Sequence, residues 1–122
     1  MKWLGKMLLV AAFVPAAASA QQRANANLKR IYFNLYTDSI KTILDFYVNV
    51  EGEYQDGRFL PLDTSQVVFS ADHGTMRGND WKAPAHIDFE KVHFDVHAKD
   101  RPELHDSITV WLKRARDPRD YE

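Results

Sequence analysis

Lys91-Val-His-Phe-Asp-Val-His-Ala98 is the stretch whose reading decides the fold. Val92, Phe94, Val96 and Ala98 share one parity, and His93, Asp95 and His97 share the other. Successive side chains of an extended chain point to opposite faces, so this run is a strand with one face to bury and one to wet. The same period recurs on both sides. Ile31, Phe33 and Leu35 alternate with Tyr32, Asn34 and Tyr36, and Phe46, Val48 and Val50 with Tyr47, Asn49 and Glu51. Val67, Phe69 and Ala71 alternate with Val68 and Ser70, and Ile108, Val110 and Leu112 with Thr109, Trp111 and Lys113. These runs are rich in β-branched and aromatic residues, which suit a pleated, half-buried surface.

Turn chemistry separates the runs. Asp56-Gly57 is a two-residue hairpin signal, because both positions tolerate positive φ. Asp72-His73-Gly74 and Gly78-Asn79 mark two further reversals, and Ala83-Pro84 and Arg101-Pro102 break the remaining gaps. Pro61 has no N–H to give to a ladder, so its strand is an edge or ends there. Asp38 to Asp45 reads as a turn leading into the Phe46 strand, and Trp81 as a turn residue packed under a loop. The expected fold is all-β, an immunoglobulin-like antiparallel β-sandwich of about seven strands. A small closed barrel is the rival.

The N-terminus reads as an address. Two lysines precede the short apolar run Met7 to Val14, Pro15 ends it, and Ala18-Ser19-Ala20 has the small-x-small pattern of a signal-peptidase site. Residues 1–20 are therefore expected to be a cleaved signal peptide, 21–28 a flexible lead, 29–114 the sandwich and 115–122 a tail. The apolar run is shorter than the roughly 20 residues that cross a bilayer, so no membrane span is expected in the mature chain. The expected location is the periplasm or the exterior.

A chain of 122 residues fits one domain. Its 16 Lys+Arg against 17 Asp+Glu give a formal charge of −1 and no basic footprint for nucleic acid. Cysteine is absent, which removes disulfides, zinc–thiolate sites and thiol nucleophiles together.

Tyr47 to Trp81 (YVNVEGEYQDGRFLPLDTSQVVFSADHGTMRGNDW), continued by KVHFDVHA and on to Lys113, resembles bacterial immunoglobulin-like domains of the Big type. The resemblance implies a sandwich used for display, spacing or binding in the cell envelope, with no catalytic motif and no cofactor. A single copy is present here, and the Lys29–Asp45 opening departs from the family pattern.

Four constellations are candidates for chemistry. His93, Asp95 and His97 share a strand face and are all potential metal ligands, although His93 and His97 stand about 13 Å apart along one strand. Asp72, Asp80, Asp88, Asp100 and Asp106 offer oxygen ligands for calcium, but aspartate also favours turns by bonding its own backbone. Glu51 and Glu53 point the same way about 6.6 Å apart, within reach of the inverting glycosidase range. Ser39, Ser65, Ser70 and Ser107 have no G-x-S-x-G context. The fourth group is aromatic: Tyr32, Tyr36, Tyr47 and Trp111 lie on the wet parity, with Asn49 among their polar neighbours. If their strands share a sheet, they form an outward strip suited to a protein interface or to sugar stacking.

The function expected is thus an exported, non-enzymatic binding or assembly module that engages a protein partner or a surface glycan by a sheet face or edge strand. A carbohydrate-binding module on the aromatic strip is one alternative. A small periplasmic metal-binding protein or enzyme using His93, Asp95 and His97 is the other.

Overall fold

The computed structural model describes residues 25–113. The expected signal peptide and tail lie outside the described residues. The described residues are all-β, with ten strands: β1 Leu28–Phe33, β2 Ser39–Ile40, β3 Phe46–Tyr47, β4 Val50–Tyr54, β5 Phe59–Leu62, β6 Val67–Ala71, β7 Thr75–Arg77, β8 Asp80–Lys82, β9 Lys91–Ala98 and β10 Arg101–Leu112. They form three sheets, ordered β1-β4-β5, β2-β10-β9-β6 and β3-β8-β7.

Strand β9 follows its alternation throughout, with Val92, Phe94, Val96 and Ala98 buried and the residues between them wetter. That buried face organises two cores. Val96 and Ala98, with Val67 of β6, meet Leu28, Ile31, Val50, Tyr54 and Leu62 from the β1-β4-β5 sheet. Val92 and Phe94, with Val110 of β10, meet Ile40, Val48 and Trp81. Phe94 is the centre of the second core: Trp81 stands edge-on to it at 6.2 Å and Phe46 is tilted against it at 6.4 Å. Both smaller sheets thus cover the same face of the four-stranded sheet, whose other face is open to solvent.

The expected run from Phe46 to Glu51 is not one strand. It divides at Val48-Asn49, so that β3 joins one small sheet and β4 the other. Two asparagines hold the break. The Asn79 side chain donates to Val48 O (3.2 Å) and Leu62 O (3.0 Å), and Val48 N donates to Asn79 O at 2.7 Å. Asn49, 2% exposed, donates to Asn34 O at 3.0 Å. Buried amides that bond carbonyls take over from ladder bonds where the chain leaves one sheet for another.

Other expectations are corrected. Ser39-Ile40, read as turn, pairs parallel with Trp111-Leu112, so the sheets are not wholly antiparallel. Trp81 belongs to β8, fully buried, with its indole N–H donating to His73 O at 2.7 Å. The turn above it needs glycine: Gly74 has φ +78, and a Cβ there would stand 2.6 Å from Lys82 O. The Arg101-Pro102 break is instead the start of β10; the reversal is Lys99-Asp100, with Asp100 at φ 64. Pro102 falls in a register shift, since Arg101 pairs with Ala98 but the next partners are His105 and His97. Proline is tolerated in a bulge because no ladder bond is asked of it. Asn25, within the expected flexible lead, is buried and donates to Lys99 O (2.7 Å) and Gln66 O (3.1 Å).

The bulge turns the first part of β10 towards β1, and side chains close that seam. Arg101 Nη1 donates to Asn25 O, Ala26 O and Leu28 O at 3.1, 3.3 and 2.7 Å. Asp106 accepts Phe33 N at 2.9 Å on one carboxylate oxygen and Ser107 N at 2.9 Å on the other.

Candidate functional site

The open face of the four-stranded sheet carries a set of polar and titratable side chains in adjacent rows. Register fixes its rows. His97 stands opposite Val68 of β6 and His105 of β10; Asp95 stands opposite Ser70 and Ser107; His93 stands opposite Thr109; Lys91 stands opposite Trp111. Directly opposed residues share a face, so these side chains form one surface four strands wide at most. Trp111 is 55% exposed at one end, with the Lys91 ammonium 5.5 Å from its ring centre, and Val68 is 40% exposed at the other.

Within this face Asp95 is a hub. It accepts the Ser107 hydroxyl and lies 3.3 Å from His93 Nε2, while His93 Nδ1 lies 3.0 Å from Thr109 Oγ1. The Ser107 hydrogen bond, and then the nearby His93, hold the Asp95 carboxyl below the usual range. Ser107, Asp95 and His93 are residue types of a nucleophilic triad, but the order is wrong. The carboxylate sits in the middle, so no imidazole is placed to take the serine proton. The group also stays wet, with His93 and Asp95 side chains 44% and 54% exposed.

Metal and calcium readings find no three-ligand cage: among the described residues, no group of three or more His, Cys, Asp or Glu side chains is placed to hold an ion. His93, Asp95 and His97 are not brought together as a three-ligand set. Two of the five turn aspartates have backbone work. Asp72 accepts His93 N at 2.8 Å where β6 ends, and Asp106 closes the β1–β10 seam.

The Glu51 and Glu53 pair is also accounted for. Glu51 accepts Asn34 Nδ2 (2.9 Å) and the Tyr32 hydroxyl (3.2 Å), and Glu53 lies 3.4 Å from Lys29 Nζ and 3.2 Å from Arg30 Nη2. The Asn34 bond, then Tyr32 and Asn49, lower the Glu51 pKa, which is opposite to what a general acid at neutral pH requires. Burial and the Glu51 hydrogen bond push the Tyr32 hydroxyl up.

The aromatic candidates separate. Tyr32 is in β1, Tyr47 in β3 and Trp111 in β10, one in each sheet, so the single outward strip is not formed. Tyr32 is half-buried beneath the Arg30 guanidinium, 4.6 Å from its ring centre. Asn49 is buried in the β3–β4 break. Tyr36, 78% exposed, lines an open groove of about 380 Å³ with Leu35, Thr37, Asp38 and Ile108 to Val110. Tyr36 and Trp111 thus border the same stretch of β10. A second groove of about 460 Å³ lies on the β4–β5 hairpin, lined by Asn27, Tyr54, Gln55, Asp56, Arg58 and Leu60.

His105, Ser70, Ser107 and Thr109 are the members of the open face that were not singled out from sequence as one site. Parity alone places Ser107 and His105 with Thr109 and Trp111 on the wet side of β10, and that signal is readable. What parity cannot supply is the partner strand and register. No protein family, curated protein or solved structure that was compared matches this chain.

Proposed function

We propose that this chain is an exported, non-enzymatic binding module of the cell envelope, an immunoglobulin-like sandwich that engages a protein partner through the open face of its β2-β10-β9-β6 sheet. The observation that carries the reading is the assembly of Ser70, His93, Asp95, His97, His105, Ser107 and Thr109 into one solvent-facing surface, bordered by Trp111, Tyr36 and Val68. Hydroxyls, imidazoles and a carboxylate that keep their water suit a wet interface, and an aromatic ring at its border supplies contact area. The N-terminal lysines, apolar run and Ala18-Ser19-Ala20 support export.

A face is favoured over the edges of β1, β5 and β2, because each of these three is guarded. The open edge of β1 is taken up by Arg101 and Asp106. Tyr54 N donates to Arg58 O at 2.9 Å, so by alternation Phe59 and Pro61 turn their backbone away from β4, and Pro61 has no N–H to offer. Strand β2 has two residues. Strand addition needs a continuous row of free donors and acceptors.

The test is capture from the native envelope with the chain as bait, in parallel with Ser107→Arg, Thr109→Arg and Arg58→Glu variants. One stoichiometric protein partner, held by wild type and by R58E and lost with S107R and T109R, is expected. A partner indifferent to S107R and T109R but lost with R58E would overturn the assignment to this face. Binding to polysaccharide alone would replace it with the carbohydrate reading.

A further inference from the structure

On that same face, His97 and His105 have a relation that neither has with His93. They are direct cross-strand partners on β9 and β10. The kind of pair follows from one bond. Leu112 N donates to Glu90 O at 2.9 Å, which makes 112 and 90 a hydrogen-bonded pair. Hydrogen-bonded and non-hydrogen-bonded pairs alternate along an antiparallel ladder. Stepping down it, 110–92, 108–94 and 106–96 are hydrogen-bonded, and 111–91, 109–93, 107–95 and 105–97 are not. His105 and His97 therefore occupy a non-hydrogen-bonded pair, whose Cα atoms approach to about 4.5 Å and whose side chains are the closer kind.

We propose that His97 and His105 form a two-histidine chelate for a borderline divalent transition-metal ion of the Cu²⁺, Ni²⁺ and Zn²⁺ class. Metal–imidazole bonds are about 2.0–2.1 Å, so two nitrogens on one ion stand about 3 Å apart, a span that closely opposed imidazoles can match. The ring nitrogens are available. Both nitrogens of His93 have neighbours, Thr109 and Asp95, whereas among the described residues neither His97 nor His105 has a hydrogen-bond partner. Both residues are exposed, so water completes the coordination sphere, consistent with the lack of a third protein ligand. Diagonal to His105, Asp95 contributes a negative charge beside the pair. Imidazole ligands select copper, nickel and zinc over calcium or magnesium, and among these the two-nitrogen site favours Cu²⁺.

The bulge in β10 is what creates the pairing. Between Ala98 and His97 the β9 strand advances one residue, while its partner advances from Arg101 to His105. The extra residues Pro102, Glu103 and Leu104 set the parity with which β10 rejoins the ladder, and so put His105 on the open face.

The test is calorimetric titration of the full chain with Cu²⁺ and, separately, Zn²⁺ in a non-coordinating buffer. It is run beside His97→Ala, His105→Ala, His93→Ala and His86→Ala variants, each checked for an unchanged far-UV spectrum. The expected result is one ion per chain, with H97A and H105A each weakening Cu²⁺ binding by about tenfold or more and the double variant little worse than either. H93A and H86A should stay within about twofold of wild type. Sub-stoichiometric Cu²⁺ should broaden the imidazole proton resonances of His97 and His105 before those of the other histidines. Equal loss in H93A, unchanged affinity in H97A or H105A, or no binding below millimolar Cu²⁺ would each overturn the chelate. Partner capture is a separate readout, so the two proposals stand or fall independently.

Discussion

Asp106→Ala should open the seam between β1 and β10. The Asp106 carboxylate accepts two backbone amides, Phe33 N and Ser107 N, each at 2.9 Å. A hydrogen bond to a charged acceptor contributes about 1.5–3 kcal/mol when buried. Asp106 is half-buried, so solvent screening reduces this to about 1 kcal/mol per bond. Leaving the Phe33 amide without its partner adds about 1 kcal/mol, because that edge faces β10 rather than open water. The total is about 2–3 kcal/mol, a large share of a stability of roughly 5–15 kcal/mol. Asp106→Asn should cost about half as much, since its single carbonyl oxygen satisfies one amide while its NH₂ meets the other donor to donor.

The assay is urea unfolding of the three proteins followed by tryptophan fluorescence. With a urea slope of about 1–1.5 kcal/mol/M, D106A should lower the midpoint by about 2 M and D106N by about 1 M, with the slope unchanged. Arg101→Met completes the cycle. Arg101 and Asp106 close one seam, so the double variant should cost less than the sum of the singles. A D106A midpoint within about 0.3 M of wild type, or D106N as costly as D106A, would refute the seam as a source of stability. Additive costs would show that the two side chains act on separate parts of the fold.

Two further outcomes are expected. Gly74→Ala forces a side chain into φ +78 and places its Cβ against Lys82 O, displacing the turn that seats the Trp81 indole; a loss of about 2–4 kcal/mol in urea unfolding and a red-shifted Trp emission should follow, and wild-type behaviour on both counts would show that the turn yields freely. Ser107→Ala removes the leading cause of the lowered Asp95 pKa, so a carboxyl carbon-13 titration should show that pKa rising towards its ordinary value near 3.9. The sign follows from linkage: a carboxyl depressed in the folded state contributes stability above its unfolded pKa and loses it as pH falls through the lower folded value. The variant should therefore lose less stability than wild type on acidification below about pH 4, and a pKa unmoved by S107A would remove the hub assigned to Asp95.

What the sequence carries is parity, and it holds along β9 though not at Asn49, which sits on the wet parity and is buried. The alternation from Val92 to Ala98 appears unchanged as the burial pattern of β9, and Asp56-Gly57 does join two paired strands. What parity does not carry is partnership. Nothing in the sequence shows that Tyr32, Tyr47 and Trp111 belong to three sheets, because sheet membership is decided by distant residues. The division at Val48-Asn49 depends on the Asn79 amide thirty-one residues away from Val48. Ser39-Ile40 becomes a strand through two parallel partners on β10, with no run of its own to announce it. The relation of His105 to His97 is hidden from the sequence for a similar reason, since it exists only once the bulge sets the register.

That bulge links the β1–β10 seam to the open face. A strand running straight from Lys99 to Leu112 would stay with β9 along its whole length and leave the open edge of β1 without Arg101. Three unpaired residues let the first part of β10 turn to β1 while the remainder returns to β9. On the return, Asp106 faces inward to the Phe33 amide, and by alternation His105 and Ser107 must face outward. The inward member closes the fold and the outward members build the open face, so neither can be re-registered alone. A one-residue slip would carry Asp106 to solvent and His105 and Ser107 towards the core together, which costs a buried hydrogen bond and buries polar groups without partners. The stability of the seam is therefore what keeps the chemistry of the open face in register.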